Sequence, residues 1–373
     1  MSLRKMKTTP ERILIENTTM DRGGAETFIM NLYRSLDRER FQFDFVLHCD
    51  YRSSYEDEIL SLGGRVFKLP PYVFFNERAY RKAYEEFFKT HPEYRIIHGH
   101  NVNSASVYLD VANRCGLKTI AHCHCSSNGS GPLAWIRDFK KRNLSEIAKY
   151  RFACSREAGL WAYGRNSSFR VIKNGIITER FIWNEDRRKE TRNTLGIGPD
   201  TVVLGNVGRL QKEKNQSFAI KVFRDFHTHT PDSELIITGT GPLEKELRSL
   251  ARSLDLEDSV LFTGVRSDVG DLLCAMDVFL FPSIFEGLPL TLIEAQCSGL
   301  PCVVSDTITD EVDITGLMRR ISPSSPVGNW TDAIKESLSI PRQNRLETIR
   351  DAGFDISQTA AEMEQFYESL IGN

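Results

Sequence analysis

The sequence predicts an α/β protein built of two doubly wound, Rossmann-like domains, and three observations carry that prediction. The 373 residues are 40% hydrophobic, 26% charged and 10% aromatic, with 25 glycines. This is an ordinary globular composition, which sets collagen-like, coiled-coil and wholly disordered chains aside. A chain of this length outgrows one hydrophobic core, so two domains are expected. From Arg12 onward, short β-branched runs, turns with Gly, Asn or Ser, and segments of helical spacing follow one another. Such alternation implies parallel sheets covered by helices.

Taken in order, "RILIENT" reads as the first strand and "AETFIMNLYRSLDRE" as the first helix, with Phe28, Leu32 and Leu36 on one apolar face. The runs "FQFDFVLHC", "RVFKLP", "YRIIHGH", "LKTIAHCH", "YRFACS" and "FRVIKNG" read as strands, separated by helical stretches such as Glu77 to Thr90 and Ser104 to Cys115. From Thr178 to Pro199 the pattern lapses into a charged stretch with late Gly and Pro, the best candidate for a linker. Alternation restarts at "TVVLGNVG" and runs through a helix from Gln216 to about His227, "SELIITGTG", "PLEKELRSLARSL", "SVLFTGV", "VGDLLCAMD", "VFLFPS", "LPLTLIEAQCSG" and "PCVVSD". A terminal helix follows, capped by Asp355 or Ser357, with Ala360, Met363, Phe366 and Leu370 on one stripe. The expected domains are therefore 1–178 and 179–355, with 356–373 as a terminal helix.

The formal charge of -2, from 48 Lys and Arg against 50 Asp and Glu, gives no reason to expect a nucleic-acid partner. Charge is unevenly spread: residues 1–178 hold 28 basic and 19 acidic groups, a net of +9, and the remainder 20 and 31, a net of -11. The eight cysteines lie mostly inside apolar runs and read as reduced, buried thiols. No run approaches the roughly 20 apolar residues of a membrane span, and no secretory leader is evident. A cytoplasmic location is the expectation.

Open parallel sheets bind ligands at the carboxyl ends of their strands, so unusual residues there are candidates for chemistry. In "FPSIFEGLPLTLIEAQCSGLPCVVSD", Glu286 sits in a Gly/Pro loop after a strand, and Glu294 lies one or two turns into the next helix. Two carboxylates so placed can accept from the hydroxyls of a sugar or ribose. The alternative is a solvated pair beside a helix start, where the dipole favours Glu. In "NVGRLQKEKNQ", Arg209, Lys212 and Lys214 follow Gly208 at a strand end, a composition suited to a diphosphate. In "TMDRGGAETF", Gly23 and Gly24 precede a helix whose free N–H groups can cradle an anion. His98 with His100, and His122 with His124, alternate along two strands, so each pair shares a face. Cys123 and Cys125 point to the opposite face, so "HCHC" cannot close a tetrahedral set, and zinc is not expected.

Together these pieces resemble the retaining glycosyltransferases of family 4, or group 1, with the two-domain GT-B fold. The resemblance rests on Glu286-Gly287 through Glu294-Ala295 with Gly299 and Pro301, on "VGRL...KN" (Val207 to Asn215), and on "GGAE" (Gly23 to Glu26). It rests also on "KNGI" (Lys173 to Ile176) and "TGTGP" (Thr238 to Pro242). It implies two lobes facing across a cleft, an N-terminal lobe for the acceptor, a C-terminal lobe for the nucleotide-sugar, and a terminal helix that returns to the N-terminal lobe. It further implies that Arg209 and Lys214 neutralise the donor diphosphate, with Gly24 and the backbone of Gly287, Leu288 and Pro289 near phosphate and sugar. Glu286 would contact the sugar, Glu294 the ribose, and Val265 with Arg266 the base. His124 would face the donor sugar. Ile177 stands where the family commonly has Asp. No Asp-x-Asp ends a strand, so neither metal nor cofactor is expected, and the leaving charge falls to cations and helix N-termini.

The activity so implied is transfer of a hexose-type sugar from a nucleotide-sugar, UDP-linked by expectation, to a glycan or lipid-linked glycan in cell-surface polysaccharide synthesis. A nucleotide-sugar 2-epimerase and a non-catalytic sugar-nucleotide-binding module are the alternatives. "PLAWIRDFKKRNLSEIAKYR" sets Trp135, Ile136, Phe139 and Leu144 among basic residues, as an interfacial helix on an anionic membrane at the inner face would need. A solvated helix with its apolar side in the core is the other reading.

Overall fold

The computed structural model describes residues 9–73, 75–125 and 143–372. Packing divides the chain into one unit of Met1–Gly175 with Ile356–Asn373, and a second of Ile176–Asp355.

The described strands of the first unit are β1 (Glu11–Asn17), β2 (Phe41–Leu47), β3 (Val66–Lys68), β4 (Ile96–Gly99), β5 (Lys118–Cys123), β6 (Tyr150–Ala153) and β7 (Arg170–Val171). They form one sheet in the order β3-β2-β1-β4-β5-β6-β7, every pair parallel. Burial is nearly continuous through β1 and β2, as helices on both faces require, and it takes in the polar Glu16, Gln42 and Asp44 along with the apolar residues. Strand order reverses between β1 and β4, so their carboxyl ends open the crevice of this sheet. The helix Gly24–Ser35 buries Phe28, Ile29 and Leu32 as its periodicity requires.

The terminal helix Ile356–Ile371 belongs to this first unit, packing against Gly24–Ser35. Ala360, Met363 and Leu370 are buried as expected, but Tyr367 also enters the core, while Phe366 stays half-buried against the Phe152 ring. Ion pairs from Arg40 to Glu364 and from Arg170 to Glu362 hold its outer side. Asp355 does not face solvent at the helix start, since its carboxylate accepts from Thr178 Oγ1 at 2.6 Å and Arg350 Nε at 2.9 Å.

The second unit adds β8 (Val202–Val207), β9 (Ser233–Thr238), β10 (Val260–Gly264), β11 (Val278–Phe281), β12 (Cys302–Ser305) and β13 (Met318–Ile321). Their order is β10-β9-β8-β11-β12-β13, again parallel, with the reversal between β8 and β11. The stretch read as a linker corrects that expectation, because it folds as the helix Glu185–Leu195. Asn184 caps it, and Gly196 ends it in a left-handed turn. Its charge concealed its role. Arg192 is almost wholly buried, donating to the carbonyls of Ala275, Gly198, Pro199 and Thr201 and, with Arg188, to Asp277. Cations that tie off carbonyl ends do the work an apolar stripe usually does. All eight cysteines are free, and Cys123, Cys154, Cys274, Cys297 and Cys302 are buried.

Candidate functional site

In the second unit the crevice between β8 and β11 is built by two loops that hold each other. The carbonyl of Glu213 accepts from the Ile284 amide at 2.8 Å, and Asn215 Nδ2 donates to Pro282 O at 3.1 Å. Asn215 takes a left-handed conformation there, which Asn tolerates better than most residues. The "TGTGP" loop lies against the same segment. Gly239, at φ 132°, would put a Cβ 2.1 Å from Gly208 O, and Gly241 one 2.3 Å from Leu210 O. Two glycines are therefore needed for this backbone-on-backbone contact.

The crossing loops bring together two of the predicted residues. Lys214 Nζ lies 2.6 and 2.7 Å from the two carboxylate oxygens of Glu286, and 5.2 Å from the Phe281 ring centroid. Arg209 is exposed, and its guanidinium has no hydrogen bond or ion pair among the described residues. Close by in the fold, four buried polar atoms lack partners among the described residues: Asn206 Oδ1 on β8, Gln216 Oε1 at the following helix start, Ser283 Oγ and Ser305 Oγ. Buried polar groups are ordinarily satisfied, so these strand-end atoms are open to hydrogen bonds from water or a polar ligand.

Glu294 occupies the second turn of the helix Leu290–Cys297 and is 8% exposed. Burial pushes its carboxyl up to about 7, against a smaller opposing pull from the Arg180 charge. It makes no side-chain hydrogen bond among the described residues, so the two glutamates are differently placed, one ion-paired and one awaiting donors. Pro289 precedes that helix with no side-chain cap, and Gly287 and Leu288 are partly exposed. Val265 is half-exposed, while Arg266 is held by Asp268 at 2.5 and 2.8 Å.

In the first unit Gly24 opens its helix with nothing within 4 Å of where a Cβ would stand, and Gly23 supplies no side-chain cap. Glu26 folds back over Gly23, so a Cβ there would meet its carboxylate. Burial raises the Glu26 carboxyl, against the opposing effects of a backbone hydrogen bond and the Asn17 amide. His98, His100, His122 and His124 do share one face, forming a stack with ring centroids 4.3 to 5.3 Å apart and the Phe28 edge against His122. His98 Nε2 is 3.2 Å from His122 Nδ1, and His100 Nδ1 is 2.8 Å from His124 Nε2. Burial drives His98 down to about 3 and His124 down to about 4, and holds His100 and His122 well below the usual range. All four rings are neutral near pH 7.

His98, His100 and His122 each offer a nitrogen within 4.8 Å of the others. His98 stacks on His100 at 4.4 Å, however, which puts their in-plane lone pairs in separate layers, whereas zinc needs them to converge at about 2.0–2.1 Å. The geometry suits hydrogen bonding.

Sequence reading missed three contributors. Tyr367 OH meets His98 Nδ1 at 2.7 Å, and Asn174 lies beside His124. A buried pair, Glu16 and His48, sits 3.1 Å apart at the ends of β1 and β2, with the Tyr80 and Tyr84 hydroxyls each 3.1 Å from His48. Burial disfavours the His48 imidazolium, but the Glu16 hydrogen bond and charge outweigh it, and its pKa is raised. A polar residue closing each of the apolar runs "ILIEN" and "FVLHC" was the available signal. Most of the basic aromatic segment around Trp135 lies outside the described residues; Leu144 is buried in the core. Among the described residues no helix is long and apolar enough to cross a membrane.

Two Rossmann-like units, each with a polar site at its switch point, define the class: an α/β protein of GT-B architecture. A model of glycosyl transferases group 1 matches residues 187–316, and one of glycosyltransferase family 4 matches residues 22–180. EpsF of Bacillus subtilis (strain 168), named as a glycosyltransferase, is 32% identical over 380 residues, covering 97% of each chain. This chain belongs to the group 1, family 4 glycosyltransferases. A UDP-Gal:alpha-D-GlcNAc-diphosphoundecaprenol alpha-1,3-galactosyltransferase of Escherichia coli is 34% identical over 139 residues, 36% of each chain. The crystal structure of Anabaena Alr3699/HepE in complex with UDP-glucose matches with a TM-score of 0.76 at 19% identity, covering 96% of this chain and 99% of that one. At that identity the likeness speaks for the fold.

Proposed function

We propose that this glycosyltransferase moves a hexose from a UDP-sugar to a glycan or lipid-linked glycan, with retention and without a metal, in cell-surface polysaccharide synthesis. The observation that carries the reading is the Lys214–Glu286 pair at the β8/β11 crevice, with Arg209 exposed on the same loop. An ammonium already bound to a carboxylate has little charge to spare, so Arg209 takes the larger share of the diphosphate and Lys214 mainly orients Glu286 toward the sugar. Glu294 accepts from the ribose hydroxyls, Gly287 to Pro289 line phosphate and sugar, and Val265 and Arg266 lie toward the base. In the first unit, the helix N–H groups after Gly24 suit a phosphate and His124 suits a sugar hydroxyl.

In the proposed reaction the bond from sugar C1 to the phosphate oxygen breaks, and a bond to the acceptor oxygen forms on the same face. The acceptor proton passes to the departing phosphate oxygen, so no protein nucleophile is required. A lipid-linked acceptor would bring the enzyme to the inner face of a membrane.

Incubating the purified protein in EDTA with a panel of nucleotide-sugars tests this. Transfer or slow hydrolysis of a UDP-hexose is expected, and Glu286→Gln should lower turnover by about 10²–10³-fold through lost sugar positioning. Formation of an epimer, binding without turnover, or an unimpaired Glu286→Gln variant would overturn the reading.

A further inference from the structure

The histidine stack can be resolved into two hydrogen-bonded chains by counting protons. A neutral imidazole carries one N–H and one lone pair, so each chain must run in a single direction. In the first, Tyr367 OH, His98 and His122 are linked in sequence. If His98 donated to Tyr367, the buried hydroxyl hydrogen would have no acceptor among the described residues. Tyr367 therefore donates to His98 Nδ1, and His98 Nε2–H donates to His122 Nδ1.

The second chain holds His100, His124 and Asn174. His124 Nδ1 and Asn174 Oδ1 are both buried and without a hydrogen-bond partner among the described residues, and the Asn174 side chain favours the protonated His124 ring. A bare His124 Nδ1 would set one lone pair against another at the Asn174 oxygen, so the hydrogen is assigned to His124 Nδ1. His124 Nε2 is then a lone pair, and the group 2.8 Å away must donate to it. That group is His100 Nδ1. Stacking of His122 on His124 at 4.3 Å and of Phe28 at 5.3 Å leaves the His124 ring little freedom to turn.

We propose that His100 is the positioning residue of His124: its Nδ1–H fixes His124 as the Nδ1–H tautomer and aims that single donor toward the Asn174 side, where a substrate hydroxyl can replace the amide oxygen. The inference rests on the proposed role of His124 toward the donor sugar. It adds a specific requirement, that His124 acts as a donor from Nδ1 and never from Nε2. His100 itself touches no substrate in this arrangement.

The test combines a spectrum and a rate. Long-range ¹H–¹⁵N spectra of histidine-labelled protein, with His124 assigned by its loss in His124→Asn, should show Nδ1 protonated and Nε2 bare in the wild type. His100→Phe keeps a ring but removes the donor, and His124 should then report a mixture of tautomers. With it kcat should fall about ten-fold while the donor KM changes less than about two-fold. His100→Asn puts an amide N–H near the Nδ1 position and should restore both the single tautomer and kcat to within about three-fold of wild type. A wild-type His124 protonated at Nε2 or averaged between tautomers overturns the proposal, even if His100→Phe fails to fold. So does His100→Phe with an unchanged spectrum. Full activity in His124→Asn would instead remove His124 from the reaction while leaving the tautomer assignment standing, so the two readings fail separately.

Discussion

At the crevice of the first sheet four imidazoles are neutral and hydrogen-bonded in two pairs, whereas the second crevice holds an ammonium–carboxylate pair and a separate buried carboxyl group. The two sheets share one winding rule and one kind of switch point, yet the histidine stack and the Lys214–Glu286 cluster differ in electrostatics. The difference follows from what each strand end is packed against. Aromatic rings and the terminal helix seal the histidines from water, and charging any of them would cost more than the neutral stack gains. The Lys214–Glu286 pair keeps part of its surface toward solvent.

The largest test of that contrast is Lys214→Ala. It should lower turnover about 10²-fold or more by freeing Glu286, and should destabilise the fold by about 1–3 kcal/mol, since the carboxylate left behind is mostly buried and loses its hydrogen-bond donor. Adding Glu286→Gln should return most of the stability without returning turnover, as urea denaturation and donor-consumption assays would show. Equal losses in the single and double variants would mean that the two groups do not act as a pair.

The second test uses pH, because the two crevices should respond with opposite sign. Glu294 is raised from 4.5 to about 7, so between those values the native state holds a proton that the unfolded chain has released. Its contribution to stability therefore falls as pH rises through that window. His98 and His124 are lowered from 6.5 to about 3 and about 4, so their contribution is intact above 6.5 and is lost as pH falls toward those values. Glu294→Gln should be more stable than wild type at pH 8, by up to about 3 kcal/mol, and equal to it near pH 4. The same variant should lose the thermal stabilisation that UDP confers at pH 8. A wild-type profile in Glu294→Gln would show that the carboxyl is not strained by burial.

The smallest expected effect belongs to Tyr367→Phe. It removes one hydrogen bond to His98 and should cost about 1 kcal/mol by thermal melting, with kcat nearly unchanged because the chain through His98 does not reach His124 by a hydrogen bond. A ten-fold loss of kcat would merge the two histidine chains into one.

Elements with strong apolar periodicity were legible before any coordinates: the helix Glu77–Thr90 has the bounds its spacing implies, and the glycine motifs fall at strand ends. Legibility failed where polar residues do the packing. Glu185–Leu195 read as a linker because Arg188 and Arg192 bury themselves on carbonyls that no pattern announces. Tyr367 was passed over in favour of Phe366, since both fit the stripe and only the His98 acceptor distinguishes them. At the candidate site the order of motifs marked Lys214 and Glu286 separately; the crossing of two loops 72 residues apart brought them together.

Local periodicity and glycine placement depend on neighbours along the chain, and these were enough to define two parallel α/β units, the family and the carboxylates and cations at strand ends. Protonation state, tautomer and pairing depend on neighbours in space. Only folding could decide that Glu286 is paired while Glu294 is not, and that four histidines are neutral, because desolvation and hydrogen-bond direction are set by atoms that the sequence leaves tens or hundreds of residues apart.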